Sequence, residues 1–383
     1  MKQLTKYTAA ALAGMMLFLA GSANAQDNAP WYEGMDILGF ASATYGYNFN
    51  NPASQMNDLR VFDQRSNTFL IDVAQLSLQK IPVNRGEAGM RMDVIAGSSV
   101  PQSVASSGLL SGQDIDLLQG YVMYIAPIGN GLQIDMGKFT THIGYELIEG
   151  VDGYNDNVTR SLCFGFAIPF AHTGIRFWYP FSDDVSAMLM VANGWDNAVD
   201  NNTDKSVGAQ LALTPTDEFA FYLNGIYGAE GDGDNGNKQS VIDVVATYQI
   251  TDMFSVGANV DYGMLGNAVA DDAEEDGLAD ATWLGVAGYV RADLNDWFSL
   301  AFRGEMFDDA DGERTGTVQQ LMTFTLTPEF RVADGCVIRA DIRMDTSDEM
   351  VFHQEFDPAN DPEEDRYTDS QNTVTLNMLF LLD

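Results

Sequence analysis

The stretch Cys336–Asp345, CVIRADIRMD, decides the fold. Ile338, Ala340, Ile342 and Met344 alternate there with Arg339, Asp341, Arg343 and Asp345. Successive side chains of a β-strand point to opposite faces, so the run has one aliphatic face and one fully charged face. Four charges in a row inside an apolar sandwich core would be very costly. A strand with hydrocarbon on one side and a watery lumen on the other suits both faces.

The same alternation recurs along the chain. Phe254, Val256, Ala258, Val260 and Tyr262 oppose Ser255, Gly257, Asn259 and Asp261, and Phe219, Phe221, Leu223 and Tyr227 oppose Tyr222 and Asn224. Sixteen such runs can be drawn, near 37–49, 67–81, 87–97, 116–127, 131–144, 166–181, 184–194, 204–215, 218–229, 239–251, 253–265, 281–294, 297–307, 317–331, 335–346 and 370–382. The second and fourth have a muddled phase. Short turns such as Gly129-Asn130, Thr251-Asp252 and Asp334-Gly335 alternate with long polar loops near 50–66, 98–115, 145–165, 195–203, 230–238, 266–280, 308–316 and 347–369. These features predict an all-β, transmembrane, antiparallel up-and-down β-barrel of about 16 strands, with short periplasmic turns and long acidic external loops. Aromatic residues at the turns, Phe177, Trp178, Tyr179 and Phe181, with Trp297 and Phe298, are candidates for a periplasmic-side girdle.

The first 25 residues read as a signal peptide: Lys2 and Lys6, an apolar run over Ala9–Ala20, and a small-x-small site at Ala23-Asn24-Ala25. Residues 26–34 then form a periplasmic N-terminal segment and 35–383 the outer-membrane barrel. No later stretch approaches the ~20 apolar residues of a transmembrane helix, although 46% of the chain is hydrophobic and only 19% charged. The net charge of −36 opposes binding to nucleic acid or anionic substrates through bulk electrostatics. Cys163 and Cys336 are the only cysteines, placed by the strand layout near opposite ends of the barrel, so no bridge is expected.

Several segments carry a family resemblance. GFASATYGYNFNNP (39–52), LRVFDQRSNTFLIDVAQLSLQK (59–80), IDMGKFTTHIGYELIEG (134–150) and RSLCFGFAIPFAHTGIRFWYP (160–180), followed by Asn193-Gly194-Trp195, are together similar to the β-barrel porin-2 (OmpL-like) family of bacterial outer-membrane porins. The similarity is good over roughly 37–200 and beyond that is mainly the barrel rhythm. It implies a pore-forming outer-membrane barrel and names no solute. The terminal Asp383 departs from the aromatic end common in such barrels, although Phe380 keeps the phase of Val374, Leu376 and Met378.

In a porin, function lies in pore width, lining charge and the field at the mouth. The loop after the fifth strand, 145–165, is more apolar than the others and carries Glu146, Glu149, Asp152 and Asp156, with Arg160 at its end. By analogy with general porins it would fold inward as a constriction; the alternative is an external lid with solvated acids. Basic wall candidates by phase are Arg91, Arg176, Arg291, Arg303, Arg339 and Arg343. Asp93, Asp135, Asp243, Asp261, Asp293, Glu305, Asp341 and Asp345 also point inward by phase, and some are expected to pair with these arginines. Acidic loops, including Glu230-Gly231-Asp232-Gly233-Asp234, would favour cations at the mouth within a Debye length of about 8 Å, or bridge divalent ions to lipopolysaccharide.

The function expected is passive diffusion of small hydrophilic solutes or ions, with weak cation preference. A substrate-specific channel or a plugged structural or adhesive barrel stands as the alternative. His142, His172 and His353 are scattered with no nucleophile motif, and no zinc or phosphate-loop signature calls for a metal or cofactor. Outer-membrane lipid and lipopolysaccharide are the implied partners. A homotrimer is compatible with the sequence, which shows no interface signature.

Overall fold

Each alternating run becomes one strand of a closed antiparallel barrel. The computed structural model describes residues 34–110, 112–270, 278–358 and 361–382; the signal peptide and most of the 26–34 segment read from the sequence lie outside them. The strands are β1 (Asp36–Asn48), β2 (Thr68–Lys80), β3 (Ala88–Ala96), β4 (Ile115–Ala126), β5 (Leu132–Thr140), β6 (Ala171–Pro180), β7 (Val185–Ala192) and β8 (Ser206–Thr216). They continue as β9 (Phe219–Gly231), β10 (Asp234–Gln249), β11 (Phe254–Ala270), β12 (Leu278–Asn295), β13 (Phe298–Asp309), β14 (Gln319–Ala333) and β15 (Cys336–Ser347). Two short strands, β16 (Phe352–His353) and β17 (Tyr367–Thr368), pair within the last loop before β18 (Ser370–Leu382) completes the wall. Neighbours in sequence are neighbours in the sheet, and β1 pairs with β18 from Gly39↔Leu382 to Asn48↔Thr373, which closes the ring. No helix among the described residues is long and apolar enough to cross a membrane.

The deciding strand behaves as its alternation dictates. In β15, Arg339, Asp341, Arg343 and Asp345 are buried in the barrel interior, whereas Ile338, Ile342 and Met344 are exposed outside. β18 repeats this, with Thr373, Thr375 and Asn377 buried and Leu376, Met378 and Phe380 exposed. The muddled phases of the second and fourth runs have one cause. A register shift opposite Ser42/Ala43 leaves Asp72 as an extra residue in β2, and one opposite Asp93/Val94 leaves Leu118 extra in β4. A β-bulge inserts one residue and inverts the alternation beyond it.

Four sequence expectations need revision. β11 reaches Ala270 and β12 begins at Leu278, so 266–270 and 278–280 of the stretch read as a long loop are strand. β5 stops at Thr140 and β6 begins at Ala171, so 141–144 and 166–170 are not strand; Cys163–Ala167 forms a buried π-helical turn. This apolar stretch packs Ile143, Leu162, Phe164, Ile168 and Phe170 against Met188, Met190, Ile226, Trp283, Phe307 and Leu321 from the barrel wall, so it is apolar for burial and not for lipid. The stretch 230–238 is no long loop, because β9 and β10 extend to a tight turn at Asp232-Gly233, with Gly233 at φ 66°. Beyond the membrane both faces of a hairpin meet water, so its polar composition reads as loop. Finally, Trp178 lies on the inner side, with the Arg176 guanidinium 5.6 Å from the indole ring, so it is not available to an outer girdle, whereas Phe181 and Trp297 are exposed.

Replacing Ile342 on the exposed row of β15 by Arg is expected to cost about 2–4 kcal/mol. Urea titration of folding into lipid vesicles, with Ile342→Val as reference, measures it; an unchanged midpoint would mean the row does not face lipid.

Candidate functional site

The segment joining β5 and β6 carries the acids singled out in the sequence, and each meets an arginine on a different strand. Glu146 Oε1 accepts from Arg303 Nη1 of β13 at 2.7 Å. Glu149 accepts from Arg339 Nη2 of β15 at 3.0 and 3.2 Å. Asp152 takes both Nη groups of Arg91 of β3 at 2.7 Å in a fork. Asp156 accepts from Arg291 Nη1 of β12 at 2.8 Å. Bidentate and charge-assisted bonds of this kind are the strong, orientation-specific ones.

The remaining basic candidates divide. Arg343 of β15 donates to Arg160 O at 2.6 Å and to Thr159 Oγ1 at 3.2 Å, so it holds backbone and hydroxyl, not an acid of the segment. Arg160 donates to Val158 O at 2.9 Å and lies 3.5 Å from Glu149 Oε1. Arg176 meets none of the four acids: its Nε donates to Asp135 of β5 at 2.9 Å, and it lies over the Phe139 ring at 4.2 Å. Its neighbours on β4 and β5 supply both the carboxylate and the aromatic surface it needs.

Most of these arginines have a second carboxylate on the wall. Arg91 bonds Asp93, Arg291 bonds Asp293 and Glu329, Arg303 lies 3.1 Å from Glu305, and Arg343 bonds Asp345. Backbone amides complete the attachment: Val158 and Thr159 donate to Asp341 at 3.0 and 2.8 Å, Gly144 to Asp243 at 3.1 Å, and Leu162 to Glu305. Arg60, in the 49–67 loop, joins the same network. It pairs with Asp345 and Asp63, and no strand alternation flags a loop arginine.

Wall glycines provide sockets. A methyl group at Gly257 would lie 2.4 Å from the Tyr145 ring, and one at Gly285 2.8 Å from Cys163 Sγ. Both thiols are free, Cys163 buried in the π turn and Cys336 opening β15. Two cavities border the residues 142–147: one of about 360 Å³ towards β8, β9 and β10, another of about 210 Å³ towards β4 and β5. His142 borders both.

On the external side, Asp196 accepts from the Phe170 and Ala171 amides at 2.8 and 2.9 Å, and burial raises its pKa to about 7. Several acids counted as mouth charges are used internally. Asp309 is fully buried and caps Arg314 and Thr315, and Glu230 accepts from Trp195 N and Ser206 Oγ.

A closed sixteen-stranded barrel with charged inner rows and an aliphatic outer surface defines an outer-membrane channel of porin type. The chain belongs to the family described as Putative beta-barrel porin-2, OmpL-like, whose pattern matches residues 34–382. Among solved structures, it resembles the outer membrane channel DcaP of Acinetobacter baumannii (TM-score 0.59, 10% identity, 91% of this chain and 97% of that one). It also resembles an anion-selective porin from Comamonas acidovorans (0.59, 9%, 91% and 99%). A third is the trimer form of OmpT from Vibrio cholerae (0.56, 13%, 91% and 98%). These likenesses are of fold. No curated protein sequence matches the chain. The protein resides in the bacterial outer membrane.

Two outcomes follow. Glu146→Ala leaves the Arg303 guanidinium, wholly buried, short of a partner and is expected to destabilise the barrel by about 3–5 kcal/mol; denaturant unfolding of folded protein measures this, and a loss below 1 kcal/mol would reject the pair as an anchor. A carboxyl with a raised folded-state pKa stabilises the fold while protonated and loses that contribution as pH rises through the folded value. For Asp196 the window runs from about 4 to about 7, so stability against denaturant should fall as pH rises across it. Asp196→Asn should flatten the profile.

Proposed function

We propose that this protein is a passive diffusion porin, exported by a cleaved signal peptide over residues 1–25, whose 145–165 loop folds inward and narrows the lumen for small hydrophilic solutes. The single observation that carries the reading is the set of four ion pairs joining Glu146, Glu149, Asp152 and Asp156 to β13, β15, β3 and β12. An external lid with solvated acids would not need partners on four strands of the wall. Direct contact cancels these charges locally, so ion preference falls to the mouth, where the unpaired surplus of a chain at −36 favours cations weakly.

Apolar packing favours a narrow passage. Ile148, Val151 and Tyr154 pack towards Phe40, Val337 and Leu379 of β1, β15 and β18, which fills that side and leaves β8–β10 facing the larger cavity. The plugged-barrel alternative is the limit of this packing. A trimer in lipid and lipopolysaccharide, as in the OmpT trimer form, completes the reading. Catalysis has no part in it.

Planar-bilayer recording tests it. The full-length protein should give small ohmic openings with a cation-selective reversal potential in a KCl gradient. Deleting residues 148–158 should raise conductance at least twofold; an unchanged conductance would take the loop out of the pore. Openings without cation preference would assign the acidic loops to solvation or lipid bridging.

A further inference from the structure

The 360 Å³ cavity between residues 142–156 and β8–β10 has a lining unlike the rest of the interior. Elsewhere arginine–carboxylate pairs dominate. Here the wall contributes Gln210, Tyr222, Asn224, Val245 and Thr247, none of them charged. The one ionised side chain at the cavity, Asp156, is already held by Arg291 at 2.8 Å. An ion of either sign entering the cavity finds no unpaired countercharge among the lining residues.

Three tyrosines border the space: Tyr145, Tyr154 and Tyr222. Two have rings fixed by their surroundings. Tyr145 stacks on Tyr289 with centroids 3.9 Å apart and planes at 15°, and Tyr154 carries Arg339 over its ring at 4.9 Å. Rigid aromatic faces carry a negative quadrupole that attracts the C–H groups of a saturated ring, and they lose little entropy on binding.

The second observation concerns Asn224, only 4% exposed. Its Nδ2 donates to Asp243 Oδ2 at 2.6 Å, which fixes the amide orientation. Asn224 thus brings a neutral amide of fixed orientation to the cavity lining. Gln210, whose Nε2 donates to His142 O at 3.3 Å, and Thr247 add polar atoms to the same lining. Neutral amides and hydroxyls with no charge left to balance suit a neutral hydroxylated solute.

We propose that this cavity is a binding subsite for neutral polyhydroxylated solutes, one saturated sugar ring in size, with Tyr145 and Tyr222 taking its C–H faces and the neutral polar side chains of Gln210, Asn224 and Thr247 meeting its hydroxyls. The volume sits at the small end of ligand cavities, which run from about 300 to 1,000 Å³. The subsite deepens the channel reading and rests on it for its role in transport. Retention there is weak enough to allow release, as conduction demands.

The probe is D-glucose, with potassium gluconate as a charged solute of similar size. Saturation-transfer NMR on detergent-folded protein reports binding without needing a current, and glucose titration of bilayer conductance reports it within the pore. The expected result is a saturable transfer to the glucose ring protons and a saturable fall in conductance. Asn224→Leu should raise the half-saturating concentration about fivefold and, independently, Tyr222→Ala roughly tenfold, both with the folded barrel's resistance to unfolding in detergent retained. Conductance without any glucose response overturns the subsite and leaves the pore standing. Glucose transfer without conductance keeps the subsite and overturns the pore. Gluconate binding as tightly as glucose, or variants that bind like the parent, overturns the assignment to neutral solutes at these residues.

Discussion

A peptide group in hydrocarbon has no water to bond, so every N–H and C=O of a spanning segment needs a partner within the protein. Everything else in this molecule follows from how that demand is met. The ring closes through β1 and β18, and no strand edge is left open to lipid. Closure then gives every strand one face towards lipid and one towards the interior. The bulges at Asp72 and Leu118 invert that alternation locally without breaking the ring.

The interior of such a ring is partly shielded from water, which raises both the strength of an ion pair and the penalty for a lone charge. Arg303, Arg339 and Arg343 are almost wholly buried, and each has carboxylate or carbonyl partners on the wall and on the segment between β5 and β6. Removing the segment would leave several of them undercompensated. The charges that make β15 recognisable as a pore strand are therefore also the anchors of what lies across it. Apolar contacts at Phe40, Val337, Trp283 and Phe307 reinforce the attachment, which explains why these inward positions are not polar. Where arginines are absent, along β8–β10, space remains, and the ionised Asp156 at its lining is already paired with Arg291.

The regular strands were legible because alternation is a local property: Arg339 and Ile338 differ in chemistry and sit on opposite faces by geometry alone. The ends of β5 and β6 were not, since Phe164 and Ile168 look the same whether they face lipid or pack inside. The hairpin over β9 and β10 was hidden for the opposite reason, because outside the membrane a strand needs no apolar face. Among the site residues, the acids of 145–165 stand out by composition, and Arg91, Arg291, Arg303 and Arg339 by inward phase. Which acid meets which arginine was not readable. Arg176 has the same inward phase, yet Asp135 and Phe139 on the next strand already surround it.

The sequence by itself determined the barrel, its strand number, its lipid-facing and inward rows, and the residue types available to the lumen. These depend on the two-residue period of a strand and on the contrast between hydrocarbon and water, both of which act within a few residues. Only the tertiary structure decided the pairs Glu146–Arg303 and Glu149–Arg339, separated by 157 and 190 positions, and the cavity beside Asn224. Such contacts depend on which strands face each other once the ring has closed, and closure is a property of the whole sheet that no single strand encodes.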